Sequence, residues 1–243
     1  MTFKTLAMDS KLLKALMEDL DSFINGKEFY RRIGKAWKRG YLLYGPPGTG
    51  KSSLIAAMAN HLKFDIYDLD LTDVQSNSEL RFLLLSTPSR SIIVLEDINC
   101  NAKLQNRESK NDPQNQGDNK ESSISWMACG LAVVMNVRII IITSNHREHL
   151  DPALLRPGSM DLHICMSYCN ISVFKKLAFN YLGLFHHDLF EQIEELIEEV
   201  DVTPAEVAWE LMKNATDAEA SLQGLVNFLR EKRTEPDKAK TIN

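Results

Sequence analysis

Lys51 and Ser52 close the run Gly45, Pro46, Pro47, Gly48, Thr49, Gly50, a spacing of glycines, lysine and hydroxyl suited to holding a polyphosphate. The glycines leave out side chains where the backbone must bend and bring its N–H groups against phosphate oxygens. Lys51 can reach the β- and γ-phosphates as a point charge, and the Ser52 hydroxyl can ligate Mg²⁺. All eight residues are therefore candidate nucleotide-binding positions. The flanks agree, because an apolar strand through Leu42, Leu43 and Tyr44 precedes the loop and an apolar helix over residues 54–62 follows it. A strand–loop–helix order aims the positive end of the helix at the bound anion.

A second group capable of chemistry ends another apolar run. Ile92, Ile93, Val94 and Leu95 lead into Glu96 and Asp97, the pattern of a buried parallel strand that delivers two acids at its C-terminal end, where ligands sit in open α/β sheets. One carboxylate there can hold the Mg²⁺ water shell while its neighbour polarises an attacking water. By position Glu96 takes the metal and Asp97 the water; an Asp carboxylate falls short of a Glu by one carbon–carbon bond, about 1.5 Å, so the inverse assignment also stands. A further apolar strand over residues 137–143 ends at Ser144 and Asn145. Asn145 can hydrogen-bond the lytic water or the γ-phosphate without adding negative charge. Leu150 to Leu155 reads as a short helix stopped by Pro157 and Gly158, which leaves Arg156 at its end, either as a surface salt-bridge residue or as a group that can reach a neighbouring subunit's nucleotide.

The elements that position these groups follow from periodicity. Leu12, Leu13, Leu16, Leu20, Phe23 and Ile24 recur at helical spacing, so residues 12–29 read as a helix that ends near Gly26. Residues 64–71 alternate apolar and polar side chains as a strand does, and residues 78–85 read as a helix. Residues 103–122 are almost wholly polar and cannot bury enough surface to order themselves, so they read as a disordered insertion. From Ile171 onward only helices are expected. Leu189, Phe190, Ile193, Leu196, Ile197 and Val200 make one apolar stripe, and capping boxes at Thr203 to Glu206 and Thr216 to Glu219 open two more helices. The fold class read from these elements is α/β with a small C-terminal all-helical bundle. The core is expected over residues 1–170 and the bundle over residues 171–243.

With 243 residues and 44% apolar side chains the chain can bury a sizeable core, and its net charge of −5 argues against a general nucleic-acid binder. One basic cluster exists, Lys27, Arg31, Arg32, Lys35, Lys38 and Arg39. It reads either as a solvated helical face or as a contact for a membrane surface or nucleic acid. The four cysteines, Cys100, Cys129, Cys165 and Cys169, lack the paired spacing of a zinc site and read as free thiols in a reducing compartment. The longest apolar stretch, residues 131–142, is interrupted by Asn136 and Arg138, so no membrane segment is expected in this chain.

Residues 45–52, Leu95 to Ile98, Thr143 to His146 and Leu150 to Gly158 together resemble the AAA ATPases (AAA+ type). Residues 35–44, the Glu96–Asp97 order and residues 160–169 are similar to the plant membrane-associated group related to the mitochondrial chaperone that inserts the Rieske iron–sulfur protein. The resemblance spans about Phe3 to Lys232. It implies a three-layer parallel sheet of the P-loop NTPase type, with the C-terminal all-helical bundle as its lid. It also implies ATP and Mg²⁺ as cofactors, a homo-oligomeric ring, hexamer or heptamer, a protein client, and a mitochondrial or ER membrane-associated setting. The membrane helix and preceding domain of that family are expected to be absent, since the likeness begins at the ATPase module. By the resemblance Asn145 corresponds to the sensor-one residue and Arg156 to the first arginine finger.

Three positions depart from the family. Ser159 stands where a second arginine is usual, Asn99 where an aspartate is usual, and the segment 123–137 is shorter than the family's helix and lacks its signature. Residues 72–77, where chain-threading relatives present an aromatic side chain to the pore, contain none, which implies that clients are not gripped residue by residue. The leading reading is Mg²⁺-dependent ATP hydrolysis that remodels or translocates a protein client. A nucleotide-binding switch or catalytically impaired subunit is the alternative, favoured by the three departures. A small-molecule kinase would share the loop but needs neither the helical lid nor Arg156.

Overall fold

The computed structural model describes residues 1–70, 74, 77–96, 138–146, 150 and 160–234. The chain divides into two compact units. One comprises Glu18–Gly45 and Ile55–Cys165 and holds a five-stranded sheet; the other comprises Met1–Met17, Pro46–Leu54 and Met166–Asn243 and holds the C-terminal helices.

The sheet strands are β1 (Lys38–Tyr44), β2 (Asp65–Asp68), β3 (Ser91–Leu95), β4 (Arg138–Ser144) and β5 (Leu162–Cys165). Among the described residues they lie in the order β2-β3-β4-β1-β5, and every pairing is parallel. Parallel strands need covered faces, and the central ones obey: all of β3 is buried, as are Ile139 to Ser144 of β4. Leu42, Ile93, Leu95, Ile140 and Ile142 pack on one side with Leu84, Leu150 and Met160. The strand expected over residues 64–71 is shorter, because only Asp65–Asp68 pairs, and at the sheet's edge all four residues are exposed. Its alternation therefore reflects flanking anchors, buried Phe64 and half-buried Leu69, more than a two-faced strand. Strand β5 was not singled out from the sequence although residues 160–166 alternate apolar and polar side chains; Met160, Ile164 and Met166 are buried while Asp161, His163 and Cys165 are exposed, and the strand pairs with β1.

Helix α1 (Ser10–Asn25) begins where the Asp9 side chain accepts from Lys11 and Leu12 N–H at 3.0 Å, and buries Leu16, Leu20 and Phe23. The short helix α2 (Lys27–Arg32) buries no residue, and Lys27, Arg31, Arg32 and Lys35 are exposed. Arg39 leaves that group: Asp19 of α1 accepts from its Nε at 3.2 Å and from its Nη2, and from the Tyr41 hydroxyl at 2.7 Å. Burial alone would lower the Arg39 pKa, but the hydrogen bond and charge of Asp19 raise it; burial and the Asp19 contact push Tyr41 far above its usual range. Asp161 completes the clamp, accepting from Gly40 N–H at 2.7 Å and facing Arg39 at 3.6 Å. Helices α3 (Lys51–Leu62) and α4 (Asn77–Ser86) follow β1 and β2.

The helical unit contains α5 (Ile171–Leu182), α6 (Phe190–Glu199), α7 (Pro204–Lys213) and α8 (Ala218–Thr234). Its core joins Phe174, Phe190, Ile193, Leu211, Leu222, Leu225 and Leu229, all but fully buried. Asn170 caps α5 by accepting from Val173 N–H, and Gly183 ends it at φ +71°. The box expected at Thr203 is present. The one expected at Thr216 is displaced by one residue: the Asp217 carboxylate accepts from Ala220 N–H at 3.0 Å, so Asp217 is the cap, aspartate being favoured over threonine at that position. The insertion expected at 103–122 and the segment 123–137 lie outside the described residues.

Candidate active site

Three adjacent parallel strands deliver candidate residues at one end of the sheet. Strand β1 runs into Gly45, β3 into Glu96 and β4 into Asn145. Leu95 pairs with Ile142, so Glu96 follows one residue later and Asn145 lies two residues farther along, about 7 Å at strand rise. The Gly45 N–H donates to the Ser144 carbonyl at 3.2 Å, which ties the start of the loop to β4. Ser144 is buried, donates from Oγ to the His146 carbonyl at 2.9 Å and accepts from His146 N–H at 3.1 Å. That closed turn holds the backbone on both sides of half-buried Asn145. Glu96 is exposed. Asp97, Asn99, Arg156 and Ser159 lie outside the described residues.

The loop itself belongs with the helical unit from Pro46 onward. Gly45, Gly48 and Gly50 all have positive φ, at 142°, 79° and 97°. Side-chain-bearing residues resist Gly48 and Gly50 conformations, so the loop's shape accounts for glycine at both. The Pro46 carbonyl accepts from the buried Thr49 hydroxyl at 2.8 Å and from Lys51 Nζ at 3.1 Å, so the ammonium is held over the loop. Gly50 carbonyl accepts from Leu54 N–H at 2.9 Å, the first bond of α3. The N–H groups before it have no acceptor within their own helix, and Ser52 stands exposed in that turn. Pro47 is exposed and Pro46 half-buried, rigid spacers that set the bend before Gly48.

The far side of Gly48 meets α7. Its carbonyl accepts from Ala205 N–H at 3.1 Å, and a Cβ placed on Gly48 would lie 3.0 Å from Thr203 Oγ1. Sequence reasoning identified Thr203 and Glu206 only as a helix cap, and did not single out Lys232, whose Nζ donates to Glu206 Oε1 at 2.6 Å. No local pattern marks a pair so far apart in the chain.

A β1–loop–α3 unit with this all-parallel order defines a P-loop NTPase fold. The chain belongs to the AAA ATPases: residues 41–168 match the model of the ATPase family associated with various cellular activities (AAA), and residues 169–241 match the At3g28540-like AAA+ ATPase lid domain. It is similar to three Arabidopsis thaliana proteins. Protein HYPER-SENSITIVITY-RELATED 4 is 56% identical over 99% of this chain and 43% of its own length. AAA-ATPase At3g50940 is 57% identical over 96% of the chain and 52% of its own length, and AAA-ATPase At2g18193 is 53% identical over 98% and 49%. The chain spans about half the length of the curated relatives it matches.

Proposed function

We propose that this chain is the nucleotide-hydrolysing module of an Mg²⁺-dependent AAA ATPase that assembles into a ring and remodels or translocates a protein client. The observation that carries the reading is the phosphate loop, three glycines at positive φ between β1 and α3 with Lys51 over the turn. Residues 1–170 form the ATPase core and residues 171–243 the lid. ATP fits the donor set, because a lysine and the N–H groups of a helix start suit a polyphosphate. Mg²⁺ fits oxygen donors such as the Ser52 hydroxyl and Glu96 carboxylate, and needs few protein ligands because it keeps several waters and takes phosphate oxygens. When bound, the ion supplies charge neutralisation at the transferred phosphoryl group.

The protein's own residues then have separable tasks. Lys51 binds the β/γ-phosphates, Glu96 faces the metal's water shell, Asp97 accepts a proton from the attacking water, and Asn145 orients that water. Arg156 of one subunit serves the site of the next, an electrostatic contribution that exists only when subunits are adjacent. Membership of the plant membrane-associated group rests on residues 35–44, the residue order at 96 and 97 and residues 160–169.

ADP release from purified protein given Mg-ATP tests hydrolysis. Release that rises per subunit with protein concentration, and is partly restored by mixing Arg156→Ala with Lys51→Ala protein, is the expected result. ATP binding without release instead supports the nucleotide-binding switch that Asn99 and Ser159 favour. Failure to bind ATP overturns both. Asp97→Asn is expected to keep Mg-ATP and stop turnover; if Glu96→Gln does so while Asp97→Asn loses Mg²⁺, the two roles are reversed.

A further inference from the structure

The first turn of α7 is over-determined for a simple helix start. Thr203 N–H donates to Glu206 Oε2 at 2.8 Å, Thr203 Oγ1 donates to the same oxygen at 3.0 Å, and Glu206 N–H donates back to Thr203 Oγ1 at 3.3 Å. The second carboxylate oxygen of Glu206 is taken by Lys232 of α8 at 2.6 Å. Burial would raise the Glu206 pKa, yet the Lys232 and Thr203 hydrogen bonds hold it below the usual glutamate range, so the carboxylate is charged when it grips both. This rigid turn is the one that meets the phosphate loop: Ala205 N–H donates to the Gly48 carbonyl at 3.1 Å, and Thr203 lies against Gly48.

We propose that Thr203, held by Glu206 and Lys232, is a positioning residue for the phosphate loop: by presenting Ala205 N–H to Gly48 it keeps the loop in its binding shape and so sets nucleotide affinity from the last helix of the lid. The proposal rests on the nucleotide-binding reading above and adds a control element to it. Gly48 sits between Pro47 and Thr49 with φ +79°, one of several conformations open to a residue without Cβ, so an outside contact that favours this one supports the loop's shape. The Ala205 bond supplies that support. Thermodynamic linkage then makes the effect reciprocal, because whatever the latch adds to nucleotide affinity, nucleotide adds to the closure of the latch.

ADP is titrated calorimetrically into the parent, Thr203→Ser, Thr203→Val and Lys232→Met, well below the unfolding temperature of each. Thr203→Val is expected to weaken ADP about five- to tenfold, the equivalent of roughly one neutral hydrogen bond, with Thr203→Ser restoring parental affinity. Lys232→Met is expected to weaken it in the same direction and keeps the proposal testable if Thr203→Val does not fold. Hydrogen exchange supplies the readout that a mere helix cap would not move: ADP should slow exchange of the Ala205 amide in the parent and less so in the Thr203→Val or Lys232→Met protein. Parental ADP affinity in folded Thr203→Val or Lys232→Met, or no effect of ADP on the Ala205 amide, overturns the proposal while leaving nucleotide binding intact. A parent that binds no ADP, behaving like Lys51→Ala, refutes the nucleotide reading and this one with it.

Discussion

Replacing Gly48 and Gly50 separately by alanine measures how much of the phosphate loop is fixed by its own backbone and how much by the lid. Both residues have positive φ, at 79° and 97°, so either alanine pays for a left-handed conformation, about 1–2 kcal/mol. They differ in what the new methyl group meets. At Gly50 the nearest atom is Met166 Cε at 3.8 Å, an ordinary contact with the end of a flexible side chain. At Gly48 it meets Thr203 Oγ1 at 3.0 Å, Ala205 Cβ at 3.2 Å and Thr203 Cβ at 3.4 Å, all on a turn pinned by its capping box. Overpacking against atoms that cannot retreat costs about 1–3 kcal/mol more. Gly48→Ala should therefore be the more destabilising by about 2 kcal/mol, which for a chain of this size lowers Tm by roughly 4–8 °C beyond Gly50→Ala. Urea and thermal unfolding of both variants measure the difference, and adding Thr203→Gly to Gly48→Ala should recover more than its own cost allows by simple addition. Equal destabilisation by the two alanines, with additive behaviour of the double variant, would falsify the contact between loop and lid helix as the source of the difference.

Three further outcomes follow from the same geometry. Asp19→Ala strands the mostly buried Arg39 guanidinium and the Tyr41 hydroxyl, for a loss of about 3 kcal/mol, and Asp19→Asn, which keeps an acceptor, should lose less; urea midpoints with both variants near the parent would refute the clamp. Because the Glu206 pKa is lowered in the folded protein, its contribution to stability is fully present above the ordinary glutamate value of about 4.3 and is lost as pH falls through the lowered one, so Glu206→Gln should flatten the parent's acid slope in urea midpoints taken from pH 6 to 3.5. Burial pushes the Cys169 thiol up to about 12, whereas Cys165 is exposed, so iodoacetamide at pH 8 should label Cys165 in native protein and Cys169 only after denaturant; equal native labelling, read by peptide mass, would contradict the burial.

Residue type and spacing alone determined the chemistry-bearing elements. The glycine–lysine–serine loop, the apolar run before Glu96 and the strand before Asn145 are local signals, because a phosphate loop must be built from contiguous backbone and a buried parallel strand must be apolar on both faces. The helical stripe from Leu189 to Val200 was legible for the same reason, since one period of 3.6 residues decides which side chains face the core. Tertiary structure decided what depends on partners distant in the chain. Strand β2 lies at the sheet's edge, where among the described residues it pairs only with β3 and all four of its side chains are exposed, so its alternation does not mark a buried face. Arg39 looked like one more cation on a solvated face until Asp19, twenty residues earlier, and Asp161 closed around it. Thr203 read as a cap and nothing more, because the atom that gives it a second task is the carbonyl of Gly48, and proximity between residues so far apart along the chain is created only when the chain folds.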